Sequence, residues 1–161
     1  MNHKLRKFLL ILSGILLFAA CESYDCTLYN VVAMYGAFYK DGAAAAIKDT
    51  LTITACGTDA VLLNRSTYTT TLTLKLSYWQ PEDTLVFNIK GENSEGVRYL
   101  LRDTVWVTKT NLVHYESPDC PTTLFHTIQD VRHTNVFIDS IIVERPSVNY
   151  DQTNNLQIHL R

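Results

Sequence analysis

Thr71-Leu72-Thr73-Leu74-Lys75-Leu76-Ser77-Tyr78 alternates polar and apolar side chains with a period of two. Successive side chains of an extended chain point to opposite faces, so this pattern describes a strand with one face buried and the other wet. The same alternation recurs on either side. Leu51, Ile53 and Ala55 alternate with Thr52 and Thr54, and Leu85, Phe87 and Ile89 alternate with Val86, Asn88 and Lys90. Further on, Val97, Tyr99, Leu101, Val105 and Val107 share one parity, against Arg98, Arg102, Thr104 and Thr108. Leu156, Ile158 and Leu160 repeat the pattern near the C-terminus. Abundant Thr, Val, Ile and Tyr suit a pleated, half-buried surface.

Turn chemistry punctuates these runs at Asp41-Gly42, Pro81-Glu82-Asp83, Gly91-Glu92-Asn93, Ser117-Pro118 and Arg145-Pro146. Short strands at this spacing predict a single all-β domain, an antiparallel β-sandwich of about seven to nine strands, with the immunoglobulin arrangement one form of it. Tyr29–Tyr39 is apolar at both parities and reads as a central strand, while Ala43–Ala46 suits a short helical turn. No linker or low-complexity tract divides the chain.

The head of the chain reads differently. His3, Lys4, Arg6 and Lys7 form a basic start, Phe8–Phe18 is almost unbroken in its apolarity, and Ala19 and Ala20 precede Cys21. A basic region, a short apolar core and small residues make a secretory signal with a helical core. The apolar stretch is shorter than the roughly 20 residues that cross a bilayer. Small-small-Cys after such a core resembles the lipobox of bacterial lipoproteins, although Phe18 stands where Leu is commoner. That resemblance implies a diacylglycerol on the Cys21 sulfur, acyl chains such as palmitate, and cleavage before Cys21. The expected organisation is a signal peptide over 1–20, a lipidated tether over 21–27 and a β-sandwich over 28–161. Two or three acyl chains hold a protein stably at a membrane. Glu22 follows Cys21, and no Asp does, which favours the outer membrane over retention at the inner one.

Cleavage before Cys21 removes Lys4, Arg6 and Lys7, leaving 11 Lys and Arg against 16 acids and a formal charge of −5. An acidic domain whose basic residues are scattered along the sequence speaks against nucleic acid or anionic headgroups as partners. With Cys21 acylated, Cys26, Cys56 and Cys120 allow one disulfide and one spare thiol in an oxidising compartment. Cys56 follows an alternating stretch and reads as a strand residue. Cys26 near the tether and Cys120 in the Ser117–Pro121 loop are the expected pair.

Four copies of one short pattern stand out: Asp49-Thr50-Leu51, Asp83-Thr84-Leu85, Asp103-Thr104-Val105 and Asp139-Ser140-Ile141. One reading is structural, in which Asp ends a turn and the hydroxyl residue starts a strand. The pattern also resembles the O-glycosylation sequon of Bacteroides-type bacteria, which implies Thr50, Thr84, Thr104 and Ser140 as acceptors. The two readings are compatible. The order of Cys26-Thr27-Leu28, Asp49–Ile53, Leu62-Leu63-Asn64-Arg65, Leu76-Ser77-Tyr78, Pro81–Thr84, Ser117–Cys120 and Ile138–Ile141 resembles an uncharacterised family of small lipoproteins, a domain of unknown function, from Bacteroides-type bacteria. That family carries no assigned activity.

Catalytic and cofactor motifs are not evident. His114, His126, His133 and His159 show no spacing that enforces a metal site, and no phosphate-binding loop, HExxH or GxSxG is present. No cofactor and no catalytic residue is expected. If Leu72, Leu74 and Leu76 face the core, parity places Trp79 opposite them with Lys75 and Ser77. If Val105 and Val107 face the core, Trp106 joins Arg102, Thr104 and Thr108 outside. Exposed indoles stack on sugar rings or anchor protein partners; the plainer reading is cross-strand packing. The expectation is a non-enzymatic lipoprotein of the cell envelope, attached to the membrane through its lipid, that serves as a structural or interaction module for an envelope protein. The alternative is a glycan-binding module using Trp79 and Trp106.

Overall fold

The computed structural model describes residues 31–161 except Asp59 and Asp119. The expected signal peptide over 1–20 and tether over 21–27, with Cys21 and Cys26, lie outside the described residues. Those described form strands β1 (Met34–Lys40), β2 (Ala43–Ala44), β3 (Thr50–Ala55), β4 (Val61–Ser66), β5 (Thr71–Leu74), β6 (Glu82–Glu92), β7 (Arg98–His114), β8 (Thr123–His133), β9 (Ile138–Val143), β10 (Ser147–Val148) and β11 (Asn154–Leu160). They make two sheets. One has the order β2-β1-β11-β9, with β5 sharing the free edge of β1 with β2; the other runs β10-β8-β7-β6-β3-β4.

The all-β sandwich follows from the alternation, since both sheets turn their apolar parity inward. Met34, Phe38, Leu72, Leu74, Leu156 and Ile158 from the first sheet meet Leu51, Ile53, Leu85, Phe87, Ile89, Val105 and Val107 from the second in one core. Eight of the nine ladders among the described strands are antiparallel; β1 and β11, near the two ends of the described chain, run parallel. The strands are more numerous than seven to nine because the long apolar sequence stretches are joined by two-residue strands that alternation cannot reveal. Ala43–Ala46 is one such place. Instead of a helical turn, Ala43 and Ala44 fold back on Lys40 and Tyr39 through the Asp41-Gly42 turn.

Two bulges set the pairing. In β11, Tyr35 pairs with Asn154 and Gly36 with Leu156, so Asn155 is the extra residue. Its buried side chain accepts from the Tyr35 N–H (2.9 Å) and donates to the carbonyls of Arg145 (3.0 Å) and Ser147 (2.8 Å). In β8, Thr108 pairs with Asp130 but Lys109 with Ile128, which leaves Gln129 as the extra residue. The bulge switches the inward parity of β8 from Val131 to Ile128, His126 and Leu124, the last three being buried.

The parity of β7 also needs correction at its ends. Val97 precedes the strand and is exposed, while the inward positions include Asp103 and Lys109 beside Val105 and Val107. Cys56 lies just past β3 in an exposed turn, not within the strand, because the chain reverses at Gly57 with φ of 87°.

Candidate ligand-binding surfaces

Two buried charges organise the six-stranded sheet. The Asp103 carboxylate, fully buried, accepts from Thr134 Oγ1 (2.6 Å) and from the backbone N–H groups of Val136, Phe137 and Ile138 (each 2.8 Å). Burial pushes its pKa up, but these four hydrogen bonds outweigh burial and hold it below the ordinary carboxylate range. Lys109 is 2% exposed. Its Nζ donates to the carbonyls of Gln80 (2.6 Å) and Ser77 (2.9 Å) and to Asn111 Oδ1 (3.1 Å), and pairs with Asp83 (3.4 Å). Asp83 in turn accepts from the Ser77 N–H.

Asn111 Oδ1 takes a second hydrogen bond from His126 Nδ1 at 2.8 Å, because its amide nitrogen is directed at the Gln80 carbonyl. Burial, then the positive charge of Lys109, pushes the His126 pKa down to about 4 against the opposing pull of Asp83. The imidazole is therefore neutral near pH 7 and Nδ1 carries the proton. This set of polar groups holds the Ser77–Pro81 segment by its backbone. Its donors are directed at carbonyl oxygens and at the Asp83 carboxylate.

The segment so held carries Tyr78 and Trp79, whose rings meet edge to face at 6.1 Å. Trp79 is 74% exposed. Its side is not set by strand parity, because β5 ends at Leu74. Trp106 does lie on the outer face of β7, as alternation predicts, but it is half-buried beneath Arg132, whose guanidinium carbon is 5.5 Å from the ring centroid. Arg132 is itself fixed by Glu82 at 2.7 Å. The two indoles thus serve different ends: Trp106 packs across strands, and Trp79 faces water.

A second surface was not expected. On the outer face of β3, β6 and β7, Thr50, Lys90 and Leu100 form one cross-strand row, and Thr52, Asn88 and Arg102 form the next. Arg65 lines the same depression as Thr50, Thr52 and Lys90. Lys48 and Arg98 border an adjoining open hollow of about 570 Å³. Arg98 lies 3.7 Å from Glu92, and Arg102 donates to Asn88 Oδ1 at 2.9 Å. Among the described residues no carboxylate lies within ion-pair distance of Lys48, Arg65, Lys90 or Arg102. The scattered cations therefore gather on one face, contrary to the expectation from their spacing, although Asp49 and Glu92 line the same hollow as Lys48, Lys90 and Arg98. Positions far apart in sequence become neighbours across a ladder. The signal available in the sequence was their common parity: Lys90, Arg98 and Arg102 all sit on the non-core parity of their strands.

The sequon residues do not gather. Thr50 starts β3, Thr84 and Ser140 fall near the starts of β6 and β9, and all four hydroxyl residues are half-buried. Thr104 is mid-strand, so the strand-start reading fails there: Asp103 precedes it as a core-facing hydrogen-bond acceptor and not as a turn residue. His114 stacks on Phe125 at 4.2 Å, His133 meets the Thr134 carbonyl, and His159 stacks on Tyr39. Cys56 is a free thiol and Cys120 is disulfide-bonded.

No curated protein and no solved structure matches the chain. A family model does match, over residues 50–160, from the first residue of β3 to the last of β11. The chain belongs to a family of unknown function (DUF6452).

Proposed function

We propose that the protein is a non-catalytic interaction module of the cell envelope, held at the outer membrane by lipid on Cys21, whose contact surface is the basic face of β3, β6 and β7. In this reading the Cys21 sulfur is acylated and Cys26 is the partner of Cys120. The observation that carries the contact surface is the convergence of Lys48, Arg65, Lys90 and Arg102 without carboxylate partners in a domain with a surplus of acids. Cations held on a rigid sheet raise the local concentration of an anionic partner and speed its encounter. An acidic segment of an envelope protein fits this surface. An acidic glycan is the second reading, favoured by Thr50, Thr52 and Asn88, which interleave hydroxyl and amide groups with the charges.

The test uses the intact lipoprotein, purified in detergent, with polyglutamate and polygalacturonate as peptide and sugar probes. Salt-dependent binding of polyglutamate, weakened at least tenfold by Lys90→Glu with Arg102→Glu, is the expected result. Binding of polygalacturonate alone selects the second reading, and equal binding by wild type and variant removes the contact surface. The intact mass of the same material reads acylation at Cys21 and any sugar on Thr50, Thr84, Thr104 or Ser140.

A further inference from the structure

Half of the large apolar side chains exposed among the described residues crowd one end of the sandwich: Val31, Tyr78, Trp79, Leu112, Val113 and Tyr115. Their proximity follows from the fold. Val31 and Tyr78 line one pocket with Leu124 and Thr123, and these two residues pair with Val113 and His114 at the end of β7. Leu112 pairs with Phe125 one position back, on the outer face of the same strand end, and Tyr115 begins the loop that leads to Cys120. Trp79 and Tyr115 are 74% and 70% exposed. A patch of this kind on a soluble surface marks a contact.

We infer that this end of the domain docks on the lipid bilayer, with Trp79, Tyr115 and Leu112 entering the interfacial layer. The inference rests on the proposed lipid at Cys21. Nine residues separate Cys21 from Val31, and even fully extended they reach only about 30 Å at roughly 3.3–3.6 Å per residue. With Cys26 bonded to Cys120, the free tether shortens to four residues, about 14 Å on the same scale. The lipid therefore delivers this end, and not the basic face, to the membrane. Arg102 and Leu112 are ten positions apart on β7, roughly 34 Å at about 3.4 Å rise per residue. Tyr and Trp rings favour the membrane–water boundary, where one part of the ring is apolar and another polar. Tethering makes docking intramolecular, so a small apolar surface suffices. Lys75, on the rim of the same pocket, adds a cation towards anionic headgroups. The hydrogen bonds of Lys109 to Ser77 and Gln80 keep the Trp79 segment in place before it meets lipid.

The chain has two tryptophans, so Trp106→Phe leaves Trp79 as the sole reporter and Trp79→Phe leaves Trp106. Each protein, with its acylation checked by intact mass, is reconstituted into phosphatidylethanolamine–phosphatidylglycerol vesicles containing brominated acyl chains. Trp79 emission should shift to shorter wavelength and be quenched at least twofold, with Trp106 unaffected. If Trp106→Phe does not fold, 5-fluorotryptophan in the wild-type chain separates the two rings, and lipid should move only the resonance lost in Trp79→Phe. Acylated protein whose Trp79 stays unquenched and water-like overturns the docking while leaving the anchor intact. A mass without acyl chains overturns the anchored reading and docking with it. Shielding of Trp79 from a water-soluble quencher without lipid would show that the chain's own N-terminal segment covers the patch. A shift produced by polygalacturonate but not by vesicles would assign the patch to glycan. Either of these results overturns the inference.

Discussion

Asp103 is a charge placed where alternation demands an apolar side chain. It is tolerated because four donors surround it, three of them backbone N–H groups that β7 itself could not satisfy. Asp103→Asn keeps the shape but loses the charge and one acceptor oxygen, and should cost about 2–4 kcal/mol, read as a fall in the urea midpoint. Because its folded pKa lies below the usual value of 3.8, the stabilisation is complete above that pH and is lost as pH falls through the lowered folded value. His126 acts over a higher window. It is neutral in the fold down to about pH 4, against 6.5 for a free imidazole, so the unfolded chain takes up the proton first. Stability should fall between pH 6.5 and 4 by about 2–4 kcal/mol from this group alone. His126→Gln, which retains a donor for Asn111, should flatten that part of a urea-midpoint profile measured against pH. An unchanged slope would show that His126 is already charged in the folded protein.

At the scale of single strands, much was legible. Leu72, Leu74, Leu85, Phe87, Ile89, Val105, Val107, Leu156 and Ile158 are buried as their parity predicts, because burial of one face is what selects alternation in the first place. What parity cannot give is where a strand stops. β5 ends at Leu74 although the alternation continues to Tyr78, because Lys109 captures the carbonyls of Ser77 and Gln80 and turns the chain away from the sheet. A lysine between Val107 and Asn111 gives no hint in sequence of a partner some thirty positions earlier. Lys109→Met should therefore release this segment and strand the Asp83 carboxylate, at a cost of about 3–5 kcal/mol. Lys109→Met with Asp83→Leu should be markedly less destabilised than the single change, since neither charge is then left alone. Hydrogen exchange at the Ser77 amide, which donates to Asp83, should quicken in both variants.

Across the whole molecule, the sandwich could be read from sequence and the two proposed contact surfaces could not, because both are assembled from residues that only the ladders bring together. The basic rows need the register of β3, β6 and β7, and the aromatic end needs the return of the β7–β8 hairpin beside the chain's entry at Val31. The same non-local logic bears on which part of the chain folds as a unit. β1 is a central strand: it pairs with β11 on one side and with β5 and β2 on the other. Met34 and Phe38 are almost wholly buried, and Gly36 lets Leu72 and Ile158 close against the strand, as a Cβ there would lie 3.0 Å from Leu72. Deleting β1 opens three ladders and vacates two large core sites. Losing a buried Phe or Met side chain costs about 2–5 kcal/mol apiece, comparable in sum with the roughly 5–15 kcal/mol that holds an ordinary domain together. A chain beginning at Thr50 should accordingly lack a cooperative urea transition and near-ultraviolet dichroism while retaining some strand signal from the β3-β6-β7-β8 meander. Supplying a peptide that spans residues 31–42 should restore the dichroism, because β1 enters the sheet as an edge-to-edge addition between β5 and β11. Cooperative unfolding of the shortened chain without the peptide would mean that β11 and β5 can close the sheet on their own, and that β1 is an accessory to the fold and not its centre.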